Sequence, residues 1–351
     1  MYRMNHISIL FGVSSIFAVA AAPANAAITF NTFVSSSDLS SVLANNSTIG
    51  FAYAGDKFVG SVYFGANNNQ LYSTDLSGTS VQKFGAPIAG FSGEVYVSSS
   101  LGTGGYGPRD VYAGSESGGT VYRVSHDGTS QSLFTSGLVG GVRSIAFDPY
   151  GHYGDGMIVA TNAGNIYNVS NTGAASLLAS VGEDAEGLSF APQAFGTYAA
   201  GTLFVASEGS GSLRAITPGG TVTTAVSGIA GAEMVSFVPL NLGSSLNPVE
   251  GFYASAYPFN IQKASASEFA PYLGDAIITS ETTHNVFQVH WDGSSFITSN
   301  IGTFPGQPED GIFVTADIIS NPVPEPSTYT LMLGGLGLLG WIRRRNITKF
   351  S

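Results

Sequence analysis

Ser144-Ile145-Ala146-Phe147-Asp148-Pro149, Leu188-Ser189-Phe190-Ala191-Pro192 and Val235-Ser236-Phe237-Val238-Pro239 are three versions of one strand. Their phenylalanines stand 43 and 47 residues apart, so the same element returns with a period in the forties. After each of the first two comes a second apolar run, Met157 to Thr161 or Thr202 to Ser207. A third follows, Asn165 to Ser170 or Ser212 to Thr217, and then a hairpin and a fourth. A tyrosine four or five residues before the second strand recurs at Tyr53, Tyr106, Tyr153, Tyr198 and Tyr272. A four-stranded unit repeating at this period is the signature of a β-propeller blade. The competing reading is a β-sandwich whose strands resemble one another by coincidence.

The rest of the body is written in the same hand. Short runs rich in Val, Ile, Tyr, Phe and Thr are punctuated every eight to twelve residues by Gly, Asn, Asp or Pro, for example Gly93 to Ser98, Asp110 to Gly114 and Thr120 to Ser125. Asp127-Gly128 and Asp292-Gly293 read as hairpin turns, and no long amphipathic helix lies between Ile28 and Asn321. The fold class is all-β. Six blades fit better than five with a long insertion, because Leu213 to Val286 is too long for one blade and short for two. Gly251 to Ala264 then forms a reduced fifth blade. Glu309 to Val314 looks like an innermost strand stranded after the last unit; it is expected to join the first blade, whose outer strands lie in Lys57 to Phe84, and so seal the ring. Over Tyr53 to Asp317 the pattern resembles the six-bladed family that includes lactonases and soluble sugar dehydrogenases.

Both ends of the chain carry addresses. Arg3 and His6 precede the apolar stretch Ile7 to Ala22, and Ala24-Asn25-Ala26 supplies small residues for signal-peptidase cleavage between Ala26 and Ala27. Residues 1–26 therefore read as a signal peptide, 27–320 as the propeller body, and 321–351 as a linker and sorting segment. The body holds 7 basic and 22 acidic residues, a net charge of −15, which argues against nucleic acid as a partner. With no cysteine, stability must come from core burial and not from disulfides or thiolate metal sites.

In the tail, Val323-Pro324-Glu325-Pro326-Ser327-Thr328 precedes an apolar run from Tyr329 to Ile342 and then Arg343-Arg344-Arg345. As a helix that run rises about 21 Å against a hydrocarbon core of about 30 Å, so it reaches a short transmembrane span only with help from its flanks. The arginines favour a cytoplasmic C-terminus. This arrangement resembles the PEP-CTERM sorting domain of Gram-negative exported proteins. The resemblance implies recognition by an exosortase, with Pro324, Glu325, Pro326, Arg343, Arg344 and Arg345 as the recognition elements. It also implies anchoring in the inner membrane during transit and a final place in the periplasm, outer surface or extracellular matrix. The extra residues Asn346 to Ser351 depart from the family's usual ending.

Motifs for chemistry mostly fail. Gly102-Thr103-Gly104-Gly105-Tyr106-Gly107 fits a dinucleotide fingerprint, but a proline and a strand follow where a helix should begin. His126, His152, His284 and His290 lack zinc-ligand spacing. One constellation survives. Four residues before the phenylalanine of each innermost strand stand Arg143, Glu186, Glu233 and Glu309, which would converge around the propeller axis. Glu183, Asp184 and Asp310 lie near enough to add ligands. Such carboxylates raise one another's pKa unless a cation or an arginine joins them, and oxygen-only ligation suits Ca²⁺ or Mg²⁺. The plainer alternative is a set of inter-blade hydrogen bonds. Two function classes follow: a non-catalytic binding or biofilm-matrix protein, with extracellular polysaccharide as a partner, or a metal-dependent hydrolase or sugar oxidoreductase using the channel.

Overall fold

The computed structural model describes residues 26–320. The predicted signal peptide up to residue 25 and the predicted transmembrane helix and sorting segment lie outside the described residues. The chain enters through β1 (Asn31–Val34) and an eight-residue helix α1 (Ser36–Leu43). Ser35 caps this helix by accepting the Asp38 N–H at 3.2 Å, and its apolar face buries Leu39 and Leu43.

Four blades then follow in simple succession. The first comprises β2 (Thr48–Tyr53), β3 (Phe58–Val62), β4 (Leu71–Thr74) and β5 (Gln82–Phe84). The second comprises β6 (Val95–Ser99), β7 (Val111–Ser115), β8 (Gly118–Val124) and β9 (Gln131–Ser136). The third comprises β10 (Val142–Phe147), β11 (Met157–Thr161), β12 (Asn165–Val169) and β13 (Ala175–Ser180), and the fourth β14 (Ala185–Phe190), β15 (Leu203–Ser207), β16 (Ser212–Ile216) and β17 (Val222–Val226). Each is an antiparallel sheet in chain order, innermost strand first. The Asp127-Gly128 turn joins β8 to β9, with Gly128 at φ +74° and the Asp127 carboxylate accepting the Thr129 N–H at 3.0 Å.

The last two blades are woven together. After β18 (Ala232–Phe237) the chain leaves to build β19 (Gly251–Tyr257) and β20 (Asn260–Ser265) of the neighbouring sheet, then passes a 3-10 turn at Ala266–Tyr272. It returns with β21 (Ala276–Ser280), β22 (Asn285–Trp291) and β23 (Phe296–Thr303) beside β18, and the Asp292-Gly293 turn joins β22 to β23. Finally β24 (Gln307–Val314) and the short α2 (Ala316–Ser320) complete the described chain. The sixth sheet runs β1-β20-β19-β24, so the N-terminal strand forms its outer edge and the last strand its inner one.

This corrects two expectations. Gly251 to Ala264 is not a reduced fifth blade; it supplies the two middle strands of the sixth. Glu309 to Val314 does not enter the first blade's sheet but pairs with β19, with Phe252 opposite Phe313. The first blade already has four strands of its own, and β24 merely packs beside β2. Six blades and the all-β class stand. Among the described residues no helix is long and apolar enough to cross a membrane.

The apolar core is divided into six wedges, one between each pair of adjacent blades. Phe204, Phe237 and Ile278 fill the wedge between the fourth and fifth blades; Phe51, Phe58 and Tyr253 fill the one between the sixth and first. Each fully buried aromatic is worth about 1.5–3 kcal/mol of burial. Tyr106 and Tyr153 add a hydrogen-bonded link across two interfaces. The Tyr153 hydroxyl accepts the Leu203 N–H at 2.9 Å and donates to the Ile216 carbonyl at 2.5 Å, tying the third blade to the fourth. Tyr106 does the same from the second blade to Met157 and Val169 of the third.

Candidate functional site: the two mouths of the channel

The innermost strands β2, β6, β10, β14, β18 and β24 stand around the central channel, each packed against the next. Pairing between the first and second strands shifts register near the start of β10, β14 and β18, between Val142 and Ser144, Ala185 and Leu188, and Ala232 and Val235. Equivalent shifts occur in β2 and in the β19–β24 pair, whereas β6 pairs without one. A bulge turns one extra side chain out of the sheet. Arg143, Glu186, Glu233 and Glu309 all sit at these bulges, which re-aim them from blade packing to the channel. Gly50 and Gly187 occupy the same irregular segments. A Cβ at either would stand 2.6 Å from the Val95 carbonyl oxygen or 2.4 Å from the Val235 nitrogen, so these strands approach one another too closely for a side chain.

The four predicted residues face one mouth of the channel, and Arg143 is the hub of an ion-pair cluster there that includes Glu186. Its Nε lies 3.2 Å from Glu186 Oε1, its Nη2 3.0 Å from Asp184 Oδ2, and its Nη1 3.2 Å from Glu116 Oε2; Nη1 also bonds Glu94. Tyr96 donates to the same Glu94 at 2.9 Å. Glu186, Glu233 and Glu309 are buried at 3 %, 5 % and 2 % exposure. Burial, then the charge of Glu233, pushes the Glu186 carboxyl well above the usual carboxylate range. Burial and Glu309 do so for Glu233, and burial and Glu94 for Glu309. Each therefore feels the others' charge across the channel. Burial alone would lower the Arg143 pKa, but Tyr96, Glu186, Glu94 and Asp184 outweigh it and raise it.

Sequence reasoning missed a second tier. Glu116, Glu208 and Glu281 each directly follow the second strand of a blade, after Ser115, Ser207 and Ser280. That Ser-Glu pair is a repeat as regular as the phenylalanine one, and it was available in the sequence. Glu281 is hydrogen-bonded to Glu208, and burial together with that neighbour pushes it up to about 7. Of the three auxiliary residues expected nearby, Asp184 joins the cluster. Glu183 instead pairs with Arg214 and accepts from Ser210 at 2.8 Å. Asp310 lies deeper in the channel and accepts the Phe51 N–H at 3.2 Å. Two of the histidines have other partners: His126 Nε2 lies 3.2 Å from Asp56 and His290 Nδ1 2.9 Å from Asp275.

The other mouth is apolar. A cavity of about 410 Å³ opens there, walled by Phe51, Val97, Leu188, Val235 and Ile312 from five different blades, with Ser98, Ser144 and Ser236 between them. Asp310 is on its lining, and burial pushes its carboxyl up to about 7 against the hydrogen bonds from Phe51, Gly311 and Val97 that lower it. Asp317 and Ile318 of α2 reach the rim, where Arg109 Nη2 donates to the Ile318 carbonyl at 2.6 Å. The described chain thus leaves the propeller at the apolar mouth. At its other end Ala26 and Ala27 are exposed, and Ile28 is the first buried residue, its N–H donating to the Ile301 carbonyl at 2.9 Å.

Just beyond α2 the sequence can be placed. Residues 322–346 are a PEP-CTERM protein-sorting motif. The motif marks a secreted, membrane-transiting chain of Gram-negative type, processed by an exosortase. No curated protein matches the chain. Solved structures match the propeller. A structural-genomics target assigned as a gluconolactonase superimposes with a TM-score of 0.53 at 9 % identity, over 83 % of this chain and 86 % of that one. A catalytically inactive virginiamycin B lyase from Staphylococcus aureus with quinupristin gives 0.51 at 10 % identity, over 81 % and 78 %. A nidogen/laminin complex gives 0.51 at 12 % identity, over 76 % and 84 %. At such identities the likeness is one of fold.

Proposed function

We propose that the PEP-CTERM segment delivers this propeller to the cell envelope or extracellular matrix as a non-catalytic binding protein, and that its ligand enters the apolar mouth. The observation that carries the reading is the junction of pocket and signal: α2 rims the cavity, and the sorting motif begins two residues after Ser320. A cavity of about 410 Å³ is of the size that small-ligand sites occupy, and its apolar walls with interspersed serine hydroxyls suit a ligand with both an apolar face and hydrogen-bonding groups. A sugar unit of an extracellular polysaccharide has that character, and a biofilm matrix is the setting that goes with such a ligand. Signal peptidase acts between Ala26 and Ala27 on this reading, leaving a chain whose fold starts at Ile28.

A glycan-array screen of the body, residues 27–320, tests it. Binding should appear and should fall at least about tenfold in Ser236→Trp, which fills the cavity, with the melting temperature little changed. Binding that survives the filled cavity would move the ligand elsewhere. One observation favours the second reading, a hydrolase: Asp310 lies on the cavity with a carboxyl poised at about 7, where a general acid or base operates well. Turnover of a lactone or ester panel, abolished in Asp310→Asn, would establish that reading in place of the first.

A further inference from the structure

The atoms left unexplained at the acidic mouth are two carboxylate oxygens. Arg143 uses its Nε and Nη2 on Glu186 Oε1 and Asp184 Oδ2. The other oxygen of each residue, Glu186 Oε2 and Asp184 Oδ1, is shut off from solvent and accepts no hydrogen bond. Glu186 is 3 % exposed, so its carboxylate cannot turn to bulk water for relief. A carboxyl oxygen buried without a partner is unfavourable in either protonation state, and such groups are ordinarily paired or coordinate a metal. Arg143 cannot supply the missing charge, because it already serves Glu94 and Glu116 as well.

Glu208 completes the arrangement. One carboxylate oxygen from each of Asp184, Glu186 and Glu208 lies within 4.8 Å of the other two. Oxygens bound to one Ca²⁺ at about 2.3–2.6 Å stand no more than about 5 Å apart, so the three already have ligand spacing. We propose that Asp184, Glu186 and Glu208 hold a hard divalent cation, Ca²⁺, on the fourth blade at the acidic mouth. Three carboxylates with no histidine or cysteine among them disfavour zinc, and the irregular setting of two loops and a bulge suits the flexible coordination of Ca²⁺ better than the strict octahedron of Mg²⁺. Water fills the remaining positions on the side where Glu208 is only half-buried. Of the ring expected from the sequence, Glu186 is then a ligand and Arg143 a positioning residue, while Glu233 and Glu309 belong to the surrounding channel wall. The site is at the opposite mouth from the ligand cavity, so it stands or falls independently of the binding reading.

The full chain in detergent, stripped with a chelator and titrated calorimetrically with CaCl₂, gives the test. One Ca²⁺ should bind per chain with a dissociation constant on the order of 10⁻⁴ M, as in extracellular modules, and the melting temperature should rise with Ca²⁺. Asp184→Asn and Glu208→Gln should each weaken binding at least about tenfold, while Asp292→Asn, on a distant exposed turn, should leave it unchanged. Glu208 is only half-buried, so its variant keeps the test valid if Asp184→Asn folds poorly. Absence of both heat and melting shift at about 10 mM Ca²⁺, or undiminished binding in the Glu208 variant, overturns the proposal.

Discussion

The first four blades and the last two are built from the same strands by different routes. In the first four, each sheet is closed by strands that follow one another directly, and no strand is shared between neighbouring sheets. In the last two, the chain starts one sheet, builds the middle of the next, returns, and only then supplies the missing inner strand. The sixth sheet also draws its outer strand from the other end of the chain, where Asn31 faces Lys263. Pairing across such separations requires closing long loops before any contact rewards it. The ring is therefore local over most of its circumference, with the topological cost concentrated at one seam. That seam secures both ends of the body in a single sheet, β1 at its outer edge and β24 at its inner one.

The strongest way to break this comparison is to remove β24. A chain ending at Thr303 leaves β19 with an unpaired edge and exposes the wedge containing Phe252 and Phe269; it should aggregate or lose its cooperative melt, while a chain ending at Ser320 should not. Calorimetry and size-exclusion chromatography read both, and an equally cooperative melt would show that the sixth blade is not the seam. A smaller effect separates the local blades. Tyr153→Phe leaves the buried Leu203 N–H and Ile216 carbonyl without their partner, at a cost of about 1–3 kcal/mol. Tyr198→Phe should cost under about 0.5 kcal/mol, because that hydroxyl only meets the exposed Thr223 side chain. Equal losses in urea melts would remove the distinction between the two tyrosines.

A pH-dependent effect lies on the seam itself. Asp310 belongs to β24 and accepts the N–H of Phe51 in the first blade, so it joins the last strand to the first sheet. Its carboxyl is held up to about 7 against an ordinary 3.8. The folded protein thus binds this proton more tightly than the unfolded chain. The resulting stabilisation is complete below the unfolded pKa and disappears as pH rises through about 7. In chelator, the melting temperature should fall from about pH 5 to about pH 8, and Asp310→Asn should flatten that fall. An unchanged slope would assign the pH dependence to the acidic mouth, where Glu281 is also raised to about 7.

What was legible in the sequence follows the same division. The strand ending in Phe147, Phe190 or Phe237 recurs because each blade must place a large apolar group in the wedge beside it, and that requirement is local. The weaving was not legible, since nothing in the composition of Gly251 to Ala264 says that its partner lies at Gln307 to Val314 and not nearby. The tyrosine marker was half a repeat: Tyr106 and Tyr153 are equivalent, but Tyr53 lies within β2 and Tyr272 ends a 3-10 turn. The channel ring was legible because Arg143, Glu186, Glu233 and Glu309 keep one spacing from the phenylalanine. The bulges that turn those side chains inward were not, for a register shift leaves no compositional trace. Glu116, Glu208 and Glu281 lie outside those innermost strands, on the Ser-Glu repeat that closes the second strand of three blades.

The short helix α2 sets how the molecule hangs. Its Ile318 carbonyl is gripped by Arg109 at the rim of the cavity, and from Asn321 to Thr328 only eight residues separate it from the apolar run of the sorting segment. Fully drawn out, that leash spans no more than about 29 Å. Whatever engages that apolar run works within this reach of the pocket end, the mouth opposite the acidic cluster. Processing by the exosortase removes that constraint, and with it the tie between the sorting segment and one particular mouth.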